Sequence, residues 1–148
     1  MKNHFHLLVR IKDLAAIKSD LPGNKNPKGF GKPPYQHFSN LFNAYSKAFN
    51  KRYNRTGSLF EKNFHRKQIN NIEHLKNVVV YIHQNPVHHR FSERPSDYPW
   101  SSYQTCISVK QTRLKRDTVV GWFDDSGNFK YYHEQKLDTI EIEKWLKI

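Results

Sequence analysis

The sequence predicts an α/β domain. Three observations carry that reading: alternation with period two near the start, apolar stripes with helical period in the middle, and a length that suits one domain. The chain has 148 residues, and a domain takes roughly 100–200.

The elements follow in order. Over His4–Ile11, Phe5, Leu7, Val9 and Ile11 fall on one face, with His4, His6, Leu8 and Arg10 on the other. That alternation predicts a strand. Asp13 is a fair N-cap for a short helix carrying Leu14, Ile17 and Leu21, and Pro22 ends it. Residues 22–36, rich in Gly, Pro and Lys, predict a loop.

Phe38, Leu41, Phe42, Tyr45, Ala48 and Phe49 recur at three and four residues, and Gly57 lies beyond them. This predicts the best amphipathic helix of the chain, with Asn43, Lys47, Asn50 and Lys51 on its polar face. The basic, aromatic stretch Leu59–Ile69 supplies a second strand. Asn70 opens a second helix, with Glu73 as its capping-box partner. Ile72, Leu75, Val79 and Ile82 form its stripe, and Pro86 stops it. Residues 87–105, with Pro95, Pro99 and Trp100, read as irregular. Val119–Tyr132 reads as a hairpin about Asp125-Ser126-Gly127. Asp138 with Glu141 caps a last helix that ends in Trp145 and Leu146.

Composition narrows the partners. Lys and Arg number 25 against 13 Asp and Glu, a net charge of +12. Residues 1–116 carry 21 basic against 6 acidic residues, whereas residues 117–148 carry 4 against 7. An anionic partner therefore belongs on the earlier part. Aromatics at 14% exclude a disordered basic tail. Mean hydropathy is −0.88, and no apolar run reaches the roughly 18 residues of a membrane span. The stretch from Phe5 to Ile11, broken by His6 and Arg10, is too short for a signal peptide. The single cysteine, Cys106, excludes an internal disulfide framework and a Cys-based zinc site. These features lead us to expect a cytoplasmic protein, outside membranes, with a polyanionic partner and nucleic acid first among them.

Two constellations carry chemistry. In His4-Phe5-His6, two imidazoles share one face of the expected strand, about 7 Å apart along the chain. That spacing lets both converge on one divalent cation; alternating histidines on an exposed face give the same triplet. In Tyr81-Ile82-His83-Gln84-Asn85-Pro86, Tyr81 and Asn85 are four apart on a helix and emerge together. The plainer reading makes Tyr81 a boundary residue and Asn85 a cap before Pro86. Together the constellations make sense of each other. A phenol with a pKa near 10 is a weak nucleophile at neutral pH. A divalent ion held by two histidines and an amide oxygen would neutralise a phosphodiester and stabilise its leaving oxygen.

At this point the chain resembles a known family. NHFHLLV at 3–9 resembles the HUH strand of single-tyrosine HUH transposases. FNKRYNRTGSLFEKNF at 49–64 resembles their central segment, YIHQNPV at 81–87 their tyrosine helix, and WSSY at 100–103 the segment that follows. The wording is closest to the REP-associated tyrosine transposases, relatives of the insertion-sequence-200 type.

The resemblance implies a ferredoxin-like antiparallel sheet with packed helices. It implies Mg²⁺ or Mn²⁺, and cleavage and rejoining of single-stranded hairpin DNA through a 5′-phosphotyrosine and a free 3′-OH. It assigns His4 and His6 as metal ligands, Tyr81 as nucleophile and Asn85 as third ligand, with Gln84 as the alternative. Arg55, Arg66 and Lys67 are assigned to DNA phosphate contact on charge and position.

Relatives carry a strand and a helix before the HUH strand, so the resemblance implies that this chain lacks the family's first strand and helix. The loop at 22–36 is longer than in most relatives. The likeness covers residues 3–105; we take residues 1–105 as the catalytic domain and leave 106–148 as an extension of open role. Monomer and homodimer both occur among relatives. A truncated or domesticated protein that binds hairpin DNA without cutting it is the alternative, and a basic RNA-binding protein is a third reading.

Overall fold

The structure is a computed structural model and describes residues 4–13, 32–61, 64–135 and 137–146. Its regular elements are helices: α1 Pro34–Arg52, α2 Ile72–His88, α3 Tyr103–Ile107, α4 Arg116–Gly121, α5 Ser126–Glu134 and α6 Ile140–Leu146, with one 3₁₀ turn at Pro95–Asp97. Among the described residues there is no strand. This overturns the α/β expectation and the ferredoxin-like sheet that the resemblance implied.

The reason is visible at His4–Ile11. A strand is defined by its ladder, and this segment has no partner strand among the described residues. Phe5, Leu7, Val9 and Ile11 have the right alternation, yet each is about half exposed. The chain falls into two compact units, Met1–Leu8 with His65–Ile148, and Val9–Phe64. Their boundary cuts the expected strand in two. The expected second strand at Leu59–Ile69 is also irregular where it is described. The expected helix carrying Leu14, Ile17 and Leu21 lies outside the described residues.

In the unit Val9–Phe64, α1 is the amphipathic helix the spacing predicts. It starts at Pro34, inside the expected loop, because a proline at the first helical position loses no needed donor. Lys51 and Arg52 close it, favourable at the negative end of the helix dipole. Phe38 and Phe42 meet Phe60 and Phe64, with ring centroids 5.1–6.1 Å apart across the turn.

The other unit is built around α2. Its N-cap is Asn71, not Asn70: Asn71 Oδ1 accepts from the backbone N–H groups of Glu73 and His74 at 2.8 and 3.3 Å. Val78, Val79, Val80, Tyr81, His83, Gln84, Asn85 and Pro86 are all buried, whereas Ile72 of the expected stripe is half exposed. The second half of the helix is thus enclosed on most sides. Pro86 does not stop it. The helix runs two residues further and ends at a left-handed Arg90, φ 57°. The N–H of Phe91 returns to Pro86 O and that of Arg90 to Val87 O, the two bonds of a Schellman termination. As an interior helix residue Pro86 gives up the bond to Ile82 O, while its own carbonyl anchors the ending.

The expected hairpin at 119–132 is two helices. Asp125 is extended, and its carboxylate accepts from the N–H of Asn128, which makes it the N-cap of α5 rather than a turn corner. Phe129 and His133, four apart, then share the buried face. Val79 and Val80 pack with Tyr103, Cys106, Phe123 and Phe129 in one core, so α2 shares its core with side chains from beyond residue 105. Phe123 and Phe129 are fully enclosed, worth about 2–3 kcal/mol each. At α6, Trp145 meets His74 edge to face, ring centroids 4.5 Å apart. No helix among the described residues is long and apolar enough to cross a membrane.

Candidate functional site

Tyr81 lies on the enclosed half of α2, beside the first described residues. Its ring meets His6 edge to face, centroids 5.7 Å apart. His6 meets His4 at 5.3 Å, and His4 meets His89 at 5.7 Å. The two histidines and the tyrosine singled out in the sequence therefore share one place, although the strand expected to carry the histidines is absent.

Asn85 completes the group. It is 1% exposed, and its side chain hydrogen-bonds Tyr81. That bond holds the phenol down in pKa, while burial, the larger effect, and the negative charge of Glu143 push it up. The net direction is upward, so Tyr81 rests as a neutral phenol. His4 and His6 move the other way: burial first, then the neighbouring imidazoles, lower both below the usual histidine value. Neutral imidazoles are the form that binds metals.

Two buried atoms in this group, His6 Nε2 and Asn85 Oδ1, have no hydrogen-bond partner among the described residues. A buried acceptor without a partner costs about 1–3 kcal/mol. Both atoms are of the type that ligates a divalent cation, so the residues fit the implied metal. Among the described residues, no three His, Cys, Asp or Glu side chains are grouped to hold an ion. The donor set therefore depends on the amide of Asn85.

Gln84 is engaged elsewhere. Its Nε2 donates to His133 O at 2.8 Å and to Gln135 O at 3.0 Å, pinning the end of α5 to α2. Arg55 belongs to the unit Val9–Phe64, and Arg66 and Lys67 to the other. All three are exposed.

The sequence reading missed two features. His89 stands beside His4, and only its position after the YIHQNPV segment hinted at this. The second is a buried chain of hydrogen bonds. His133 Nδ1 lies 2.7 Å from Phe129 O, His133 Nε2 lies 2.8 Å from His83 Nδ1, and His83 Nε2 lies 2.8 Å from Ser102 Oγ. A carbonyl only accepts, so His133 carries its proton on Nδ1. With both rings neutral, His83 then donates from Nδ1 and accepts from the Ser102 hydroxyl. The chain links YIHQNPV directly to WSSY.

Comparison of the chain with protein-family models, with curated proteins and with solved structures gives no match.

Proposed function

We propose that this protein is a transposase-like enzyme of the single-tyrosine HUH type, cutting and rejoining single-stranded hairpin DNA at Tyr81. The observation that carries the reading is the pair of orphaned buried atoms, His6 Nε2 and Asn85 Oδ1, on residues that both touch Tyr81. With no sheet among the described residues, the fold lends the reading no support. It rests on side chains and on the resemblance of four motifs to the REP-associated tyrosine transposases.

His4, His6 and Asn85 would hold Mg²⁺ or Mn²⁺, which when bound would neutralise the scissile phosphate and stabilise the leaving oxygen. The Asn85 amide orients the phenol. Tyr81 Oη bonds to phosphorus as its proton passes to solvent water, the P–O3′ bond breaks, and the leaving oxygen takes a proton from solvent to become a free 3′-OH. The 5′-phosphotyrosine keeps the ester bond, so a DNA 3′-OH reverses the step without ATP. The net charge of +12 suits a DNA partner, and the cell compartment consistent with this reading is the cytoplasm, at the nucleoid.

The test is a covalent-adduct assay. The protein is mixed with a labelled hairpin oligonucleotide and Mn²⁺ or Mg²⁺, then run on a denaturing gel beside Tyr81→Phe. A metal-dependent labelled band, absent in the variant, is expected. Hairpin affinity of the variant should stay within about twofold, since the hydroxyl acts in the transition state. Hairpin binding with no band favours the alternative, a protein that binds without cutting.

A further inference from the structure

We infer that the C-terminal half of α1 is a stacking platform for unpaired bases of single-stranded DNA, built from Tyr45, Phe49 and Tyr53 and edged by Arg52 and Arg55. The choice of DNA as the strand rests on the proposed function; the platform itself rests on the geometry that follows.

The two halves of α1 are treated differently by the chain that returns along it. Phe38 and Phe42 are met by Phe60 and Phe64. Tyr45 touches Phe60 at 6.0 Å, and among the described residues no ring of the returning chain meets Phe49 or Tyr53. Tyr45, Phe49 and Tyr53 recur every four residues and so rise along one side of the helix. Tyr45 and Phe49 are stacked, with centroids 6.2 Å apart and planes 26° apart, and Phe49 and Tyr53 follow at 4.5 Å. Tyr45 and Tyr53 are 54% and 58% exposed. The result is a row of rings whose two ends, Tyr45 and Tyr53, are exposed, with Phe49 half-buried between them.

The row is cationic. Arg55 sits over the Phe49 ring at 5.7 Å and Arg52 over the Tyr53 ring at 5.8 Å. No acidic residue occurs from Pro34 to Phe60. An apolar protein partner gains nothing from that charge, whereas a phosphodiester strand requires it. Rings interleaved with guanidinium groups are what sequence-tolerant single-strand binding uses: bases stack and phosphates pair.

The geometry is also fixed in advance. Arg55 N–H returns to Asn50 O across a left-handed Asn54, φ 47°, and Asn50 Nδ2 donates to Gly57 O at 2.8 Å. That turn holds Arg55 back over Phe49 instead of leaving it on a free loop. Less ordering is then required when a strand binds.

The test uses the full chain without divalent metal, so that cleavage plays no part. Fluorescence anisotropy measures affinity for an oligothymidylate and for an abasic strand of the same length. Tyr45→Ser/Tyr53→Ser should weaken the base-bearing strand by about tenfold or more and leave the abasic strand unchanged. Arg52→Gln/Arg55→Gln should weaken both. Equal effects of the tyrosine variant on the two strands, or none, overturn the platform. So does an altered oligomeric state in sedimentation with DNA affinity intact, which would give the face to a second copy. A second measurement needs no variant: a strand carrying 5-iodouracil is cross-linked to the wild-type chain. Adducts on Tyr45, Phe49 or Tyr53 are expected, and adducts confined to other residues overturn the inference. Failure of the Tyr81 adduct assay leaves these outcomes unaffected, so the two readings fail separately.

Discussion

His83 Nδ1 and His133 Nε2 lie 2.8 Å apart in the interior, and neither ring reaches solvent to any useful extent. Burial lowers His83 to about 3 and His133 to about 4. Both therefore stay neutral in the folded protein near pH 6.5, where the unfolded chain begins to take up protons. Stability is then complete above about pH 6.5 and is lost as pH falls toward the folded values. Denaturant unfolding across a pH series should show ΔG falling from pH 7 to pH 4, by at most about 1.4 kcal/mol per pH unit for each of the two histidines. A flat profile over that window would show that the pair is not held neutral.

The cap of α2 gives a second prediction. Asn71→Ala removes the acceptor for two backbone N–H groups and should cost about 1 kcal/mol. Asn70→Ala should change stability by no more than about 0.5 kcal/mol. Equal effects would place the helix start elsewhere. Chemical denaturation of the two variants decides this.

Arg90 holds a left-handed conformation that suits glycine, at the end of the helix that carries Tyr81. Arg90→Gly should raise stability by about 0.5–1 kcal/mol, after the added freedom of the unfolded chain is counted. A loss of stability in thermal unfolding would mean that the arginine side chain contributes more than its backbone strain costs.

Gln84 and Asn85 are neighbours with different work. Gln84→Ala leaves two carbonyls without their donor and should lower stability by about 1–3 kcal/mol while metal dependence is kept. Asn85→Ala should weaken the response to Mn²⁺ by at least about tenfold. Cleavage rates over a metal titration, read beside melting curves, separate the two. Gln84→Ala with the larger metal defect would reverse the assignment.

Cys106 is buried in the core of α2, α3 and α5, and its burial pushes the thiol pKa up. It should react with a thiol reagent only as fast as the protein opens, and at once in denaturant. Rapid labelling of the native chain would show that this core is open.

Particular residues show how much was legible. The amphipathic α1, the helix carrying Tyr81 and a final helix before Trp145 and Leu146 were readable because each rests on near neighbours in sequence, although that helix starts at Ile140 and the Asp138–Glu141 capping box is not what opens it. The meeting of His4, His6, Tyr81 and Asn85 was anticipated from chemistry, by way of a strand that is not there. The hairpin at Asp125-Ser126-Gly127 failed because a turn signal and an N-cap use the same residues. Phe129 and His133, four apart, were the overlooked sign of a helix. Pro86 misled because a proline in the last turn forgoes one ladder bond without ending the helix, which here closes two residues later in a Schellman motif.

By itself the sequence determined the charge, the helical periodicities and which imidazole, phenol and amide groups are present at short spacing, since these depend on residue type and near neighbours. Only the tertiary structure decided that Gln84 binds backbone while Asn85 keeps a bare oxygen, that His83 reaches His133 fifty residues away, and that alternation at His4–Ile11 finds no partner strand among the described residues. Those outcomes depend on what comes to lie opposite a side chain, and a strand or a buried polar atom is completed only by a partner distant in sequence.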